Sequence, residues 1–154
     1  MIFNMNANDI VSGIYSIVNA DTTLQGSGYL DGTGKVFVQR VPVNPTPPYL
    51  LITLSSIIPN AMQIYTGELR IFCYTALQLN GQINTIGDLI LNRCDELLND
   101  QQFTIESSGA GLPDVQTQPL YSLGIIPSFF DSSGDDTLAR GVCRYRLEFG
   151  YKSL

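Results

Sequence analysis

The chain reads as an α+β fold, a mostly antiparallel sheet of about four to six strands with one long helix and an N-terminal helix packed on it. Three observations predict this. Apolar residues recur at three- and four-residue steps over about 8–19 and about 84–98, which puts them on one stripe of a helix. Elsewhere they alternate, most cleanly over 141–151, as in a strand buried on one face. The length, 154 residues, suits one domain (1–154) and is enough to bury a real core.

In chain order, Ile10, Ile14, Ile17 and Val18 form the stripe of the first helix. Asn6 or Asn8 is placed to cap it, and Gly13 weakens it slightly. Residues 21–34 are rich in Thr, Gly and Ser, with Leu24 and Leu30 as anchors. The run Gly26-Ser27-Gly28-Tyr29-Leu30-Asp31-Gly32 superficially resembles a phosphate-cradling loop. Such a loop needs a strand before it and a helix after it. Here the order is reversed, and a turn is expected.

Residues 35–43 are predicted as a strand, with Val36 and Val38 on one face and Phe37 and Gln39 on the other. Pro42, Pro45, Pro47 and Pro48 then hold the connection extended, as a stiff link rather than a peptide ligand. A strand restarts at Tyr49 and runs to Leu54; apolar on both faces, it is expected to be central. Residues 55–66 read as a longer excursion holding Pro59 and Asn60. In the next strand, 68–74, Leu69, Ile71 and Cys73 point one way and Glu68, Arg70 and Phe72 the other.

The helix at about 84–98 is the organising element. Ile83, Ile86, Ile90, Cys94 and Leu97 make its stripe, with Asp88, Asn92, Asp95, Glu96 and Asn99 mostly opposite. Thr85 and Asp88 resemble a capping box, Asp88 suits the helix dipole, and the polar run 99–102 ends the helix. Residues 103–105 are a candidate short strand. From 107 to 140 the chain reads as irregular, with Val115-Gln116-Thr117 and Tyr121-Ser122-Leu123 placed to pair with a neighbour. Ile125, Ile126, Phe129 and Phe130 are awkward in a solvent loop; they either tuck under the domain or contact another subunit. In the last strand Cys143, Tyr145, Leu147, Phe149 and Tyr151 face inward, and Arg144, Arg146 and Glu148 outward. The two arginines are expected to pair with Glu68 or other acids across neighbouring strands, for tenths of a kcal/mol each unless they stand on an edge at a ring contact.

Composition narrows the chemistry. Only 14% of residues are charged, against roughly a quarter in typical domains, so part of the surface is expected to meet protein. The net charge of −6 argues against sequence-reading nucleic-acid binding, which needs a basic patch. An acidic surface that lets DNA pass remains compatible. The chain has no histidine, which removes the commonest general base and the Ser-His and Cys-His nucleophile pairs. Carboxylate catalysis needs two acids converging in a cleft; most acids here fall in loops or on the polar helix face, with Glu68 and Glu148 on strands, and a non-enzyme without cofactor is expected. Cys73, Cys94 and Cys143 lack zinc-type spacing and read as small buried hydrophobes. Asp131, Asp135 and Asp136 lack calcium-loop spacing and read as a solvated turn. With neither a leader-like N-terminus nor an apolar run of membrane-spanning length, a soluble protein made in a reducing cytoplasm is expected.

Taken together, the layout resembles the tail-completion or tail-terminator proteins of long-tailed bacteriophages. The resemblance rests on Asp9-Ile10-Val11 through Val18, Lys35-Val36-Phe37-Val38 and Pro48-Tyr49-Leu50-Leu51-Ile52 after the proline-rich link. Glu68-Leu69-Arg70-Ile71-Phe72-Cys73-Tyr74 running into the helix, and Arg144-Tyr145-Arg146-Leu147-Glu148-Phe149 as the closing strand, complete it. It spans nearly the whole chain as a matter of layout and short apolar patterns; the 107–140 segment looks longer than usual in the family.

The resemblance implies a structural virion protein of the tail or neck, assembled in the host cytoplasm. It implies a homo-oligomer, a hexameric ring, that caps the tail tube, stops its growth and meets the tube protein below and the head-side connector above. DNA passes its acidic lumen without specific binding, and no membrane is involved. A sheet edge continued into a neighbouring subunit would supply contacts. By position, the interface residues are Ile57, Ile58, Met62, Ile64, Tyr65, Ile125, Ile126, Phe129 and Phe130, with Arg144 and Arg146. Two other readings stay open: a head-closure or neck subunit of the same machinery, and a small-ligand-binding or enzymatic α/β domain with a polar pocket.

Overall fold

The computed structural model describes residues 7–43, 45–59, 64–76, 85–108, 111–130 and 138–151. Their elements run α1 (Ala7–Asn19), β1 (Val36–Val38), β2 (Tyr49–Pro59), β3 (Tyr65–Ala76), α2 (Thr85–Leu98), β4 (Thr104–Ile105), β5 (Val115–Thr117), β6 (Tyr121–Phe130) and β7 (Leu138–Tyr151). The seven strands form one sheet in the order β1-β2-β3-β7-β5-β4, with β6 also on β7. All pairings are antiparallel except β1 with β2. The α+β class is as expected, with one strand more than the expected range.

Alternation decides the layers. Leu50, Ile52 and Leu54 on β2, Leu69, Ile71 and Cys73 on β3, and Cys143, Tyr145, Leu147 and Phe149 on β7 are buried in a single core. α1 adds Ile10, Val11, Ile14 and Val18 to that core. Both helices therefore lie on the same side of the sheet, and the other alternation forms a face that no described helix covers. The three thiols are buried and unpaired, and burial pushes that of Cys143 up to about 12.

α2 is turned relative to the stripe expected of it. Gly87, Ile90, Leu91, Cys94 and Leu98 are buried, while Ile86 is 38% exposed and Leu97 partly buried. Ile83 lies outside the described residues. The cause is Asp95, which faces the sheet and accepts a 2.6 Å hydrogen bond from the Tyr145 hydroxyl. A buried phenol needs such a partner, and satisfying it rotates Ile86 outward. Asp100, at φ 60°, ends the helix, and its amide donates to the Leu120 carbonyl.

The expected strand 35–43 shrinks to β1, because Gln39 turns left-handed at φ 62°. The expected excursion 55–66 is mostly ladder: β2 runs to Pro59 and β3 starts at Tyr65, with a register shift between Ser55 and Ile58. Within the segment expected to be irregular, Val115-Gln116-Thr117 pairs as expected, as β5, and Tyr121-Ser122-Leu123 begins a longer strand, the ten-residue β6. In the glycine-rich turn, the amides of Tyr29, Leu30, Asp31 and Gly32 donate to the turn's own carbonyls, so none of these four is left for a phosphate, while Leu24 and Leu30 are buried as expected.

Gly13 is where α1 crosses β4. A Cβ there would lie 2.7 Å from Cγ1 of Ile105. Gly13→Ala is therefore expected to destabilise the fold by about 1–3 kcal/mol despite alanine's better helix propensity, as overpacking does; chemical denaturation reads this directly.

Two ion pairs tie distant segments. Arg93 on α2 clamps Asp21, Nε to Oδ2 at 3.0 Å and Nη2 to Oδ1 at 2.7 Å, and the Leu24 amide donates to the same carboxylate. Glu68 takes Arg70 at 2.8 Å and Arg144 at 2.6 Å. The Arg93 hydrogen bond holds the Asp21 carboxyl below its usual 3.8, and Arg70 above all, with Arg144, holds Glu68 below 4.5. The unfolded chain thus binds more protons in acid. The stabilisation from both pairs is complete above these ordinary values and is lost as pH falls through them toward the depressed folded values. Stability is expected to drop below about pH 4, and Arg93→Ala should make that drop shallower in acid titrations followed by circular dichroism.

Candidate assembly surface

Two long strand edges, on opposite flanks of the sheet, carry no described partner. β1 covers β2 only from Leu50 to Ile52, so β2 beyond Thr53 offers its amides and carbonyls outward. On the other flank β6 pairs with β7 by one edge alone. Apolar side chains project beside both: Ile57 and Ile58 (63% exposed) on β2; Tyr121 (61%), Leu123 and Ile126 (43%) on β6. An open edge flanked by exposed hydrophobes is a template for another strand. Pro127 and register shifts between Ser122 and Gly124 and between Ile126 and Phe129 break the regular pairing of β6.

Each residue expected at the interface has a definite place. Ile57 and Ile58 lie on the β2 edge; Met62 lies outside the described residues. Ile64 lines a groove of about 380 Å³ with Gln118, Tyr121, Arg146 and Glu148. Tyr65 is taken up in its own domain, stacked on Phe149 with centroids 5.7 Å apart. Ile125, opposite Cys143, is partly buried against the core, whereas Ile126, opposite Val142, shows on the uncovered face. Phe129 and Phe130 occupy β6 positions; their side chains are outside the description. Arg144 and Arg146 are not on an edge, as β7 is flanked by β3 on one side and by β6 and β5 on the other. Arg144 meets Glu68 as expected, and Arg146 lies 5.3 Å over the Tyr121 ring, 3.8 Å from Glu148.

Of the expected residues, the structure thus puts Ile57 and Ile58 on a β2 edge, Ile126 on a β6 edge and Arg144 and Arg146 on a basic strip between them. Sequence reading missed Tyr121 and Leu123 as edge residues, and Arg70 and Arg140 as companions of Arg144 and Arg146. Alternation placed Arg70 with Glu68, but only the register set Arg70 opposite Arg144 and Arg140 opposite Tyr74.

Among the described residues no three His, Cys, Asp or Glu side chains gather as metal ligands, and no helix is long and apolar enough to cross a membrane. Compared with protein-family models and with curated proteins, the chain matches none.

Proposed function

We propose that the chain is a structural subunit of a long-tailed bacteriophage, a tail terminator that caps the tail tube as a ring. In this reading copies join head to tail, β6 of one against β2 of the next, in a ring that the family resemblance makes hexameric. The ring stops tube growth, with the tube protein below, the head-side connector above and DNA passing through the lumen. The subunit assembles in the host cytoplasm and ends in the neck of the virion; its role is architectural, with neither catalysis nor a cofactor.

The pair of open edges carries this reading. β2, β3, β7 and β6 succeed one another antiparallel, so β6 runs opposite to β2. Rotation about an axis parallel to the strands keeps each residue at its level along them. Tyr121 on the β6 edge of one copy then comes beside Ser55 on the open β2 edge of the next, in antiparallel sense, and Ile126 comes level with Leu51, where β1 covers β2. That is a heterologous contact, the kind that closes rings. The exposed hydrophobes on both edges become buried in the joint.

Particles made without this chain are the test. Tubes growing past their normal length support the terminator role, and unchanged lengths overturn it. Tubes of normal length that fail to join heads would instead assign the chain to a head-closure or neck position, which the same ring geometry serves.

A further inference from the structure

The uncovered sheet face holds a charge pattern that the net charge conceals. Of the seven described basic residues, Arg70, Arg140, Arg144 and Arg146 stand on it, against two of the eleven described acids, Glu68 and Glu148. This acidic protein therefore has one basic face. Arg70 lies directly opposite Arg144 in the β3–β7 ladder, an arrangement of like charges that costs stability. One carboxylate, Glu68, serves both guanidiniums, and Arg70 Nε stays buried without an acceptor. From Arg140 to Arg146 the strip runs about 20 Å along β7 at the usual strand rise. Its two ends are propped on rings: Arg140 lies 5.4 Å over Phe72, and Arg146 sits over Tyr121.

We propose that this face takes the phosphate backbone of duplex DNA without reading its sequence. A duplex carries one negative charge per roughly 1.7 Å of axis, a density that lets a face with a small positive excess bind. An acidic protein segment spreads its charge more thinly. A single strand binds chiefly by stacking bases on bare aromatic rings, and here the rings are engaged: Tyr49 stacks on Tyr74, while arginines cover Phe72 and Tyr121. The acids of α2 lie on the other side of the sheet from this face, and salt, with a Debye length of roughly 8–10 Å at physiological strength, screens them from it. One subunit carries the whole face, so this inference stands or falls apart from the ring.

Fluorescence anisotropy of a short labelled duplex with the full chain tests it. At low salt a dissociation constant near about 10⁻⁴ M is expected, weakening about tenfold for a fourfold rise in salt if two phosphates are neutralised. Arg144→Ala with Arg146→Ala should weaken binding at least about tenfold and flatten the salt slope by about 2. Glu148→Gln should strengthen it and Arg40→Ala, in the exposed loop after β1, should leave it unchanged. The opposite sign of Glu148→Gln keeps the test decisive should the double variant unfold. Absent or salt-independent binding, indifference to these arginines or to Glu148, or tighter binding of single strands overturns the proposal. So does displacement of the duplex by polyglutamate at equal charge, which would assign the face to an acidic protein.

Discussion

Leu91→Ala is expected to cost the fold about 2–5 kcal/mol, and Ile86→Ala less than about 1 kcal/mol. The two residues lie five apart on one helix with side chains of equal size, so the contrast reports which way α2 faces. Leu91 is wholly buried in the core that also holds Ile90 and Cys94, and its truncation leaves a cavity there. Ile86 already meets solvent and gives up little. Equilibrium denaturation of both variants decides it. Equal losses would mean that α2 lies on the stripe running through Ile86, with the Tyr145–Asp95 hydrogen bond unmade.

Tyr121→Lys combined with Ile126→Lys is expected to leave the subunit folded and to abolish its assembly. In the free chain both side chains are exposed, so the cost to the fold is small. Surface substitutions typically stay within about 0.5 kcal/mol, with up to about 1 kcal/mol more at Tyr121, where a lysine gives up the Arg146 contact and faces that arginine. In the proposed joint Tyr121, level with Ser55, is buried against the next copy's β2, and Ile126, level with Leu51, against the β1 that covers it there. Losing that burial forfeits about 1.5–3 kcal/mol per side chain, and the lysine charges must also be desolvated. Together this is a more than hundredfold weakening at every joint, which a closed ring multiplies around its circumference. Sedimentation of particle-derived rings and a thermal melt of the free variant read the two halves separately.

Both helices, the two inner strands and the closing strand were legible because each buries one face, and burial writes a period into the sequence. Leu69-x-Ile71-x-Cys73 and Cys143-x-Tyr145-x-Leu147-x-Phe149 are such records. The turn of α2 was not legible. The residues 87, 90, 91, 94 and 98 and the stripe through Ile86 and Ile90 both fit a helical period, and a hydrogen bond from a strand fifty residues away chooses between them. Only the start of β6, Tyr121-Ser122-Leu123, was legible, because Gly124, Pro127 and two register shifts break the alternation of the rest. Gly13 looked like a weakness in α1 until the close approach of Ile105 gave it a purpose. Of the candidate surface, the exposed isoleucines were visible as residues out of place. The basic strip was not, since it exists only once β3 and β7 are set in register.

Head-to-tail closure through β6 and β2 is most directly tested with a cysteine on each edge, Tyr121→Cys and Ser55→Cys, both on the uncovered face. The native thiols are buried and burial raises them well above their usual range, so oxidation selects the new pair. Particles assembled with the double variant should yield a ladder of disulfide-linked multiples ending at one closed size, and neither single variant should. Only monomers from the double variant, or dimers from a single one as a two-fold contact would give, would contradict closure by these edges.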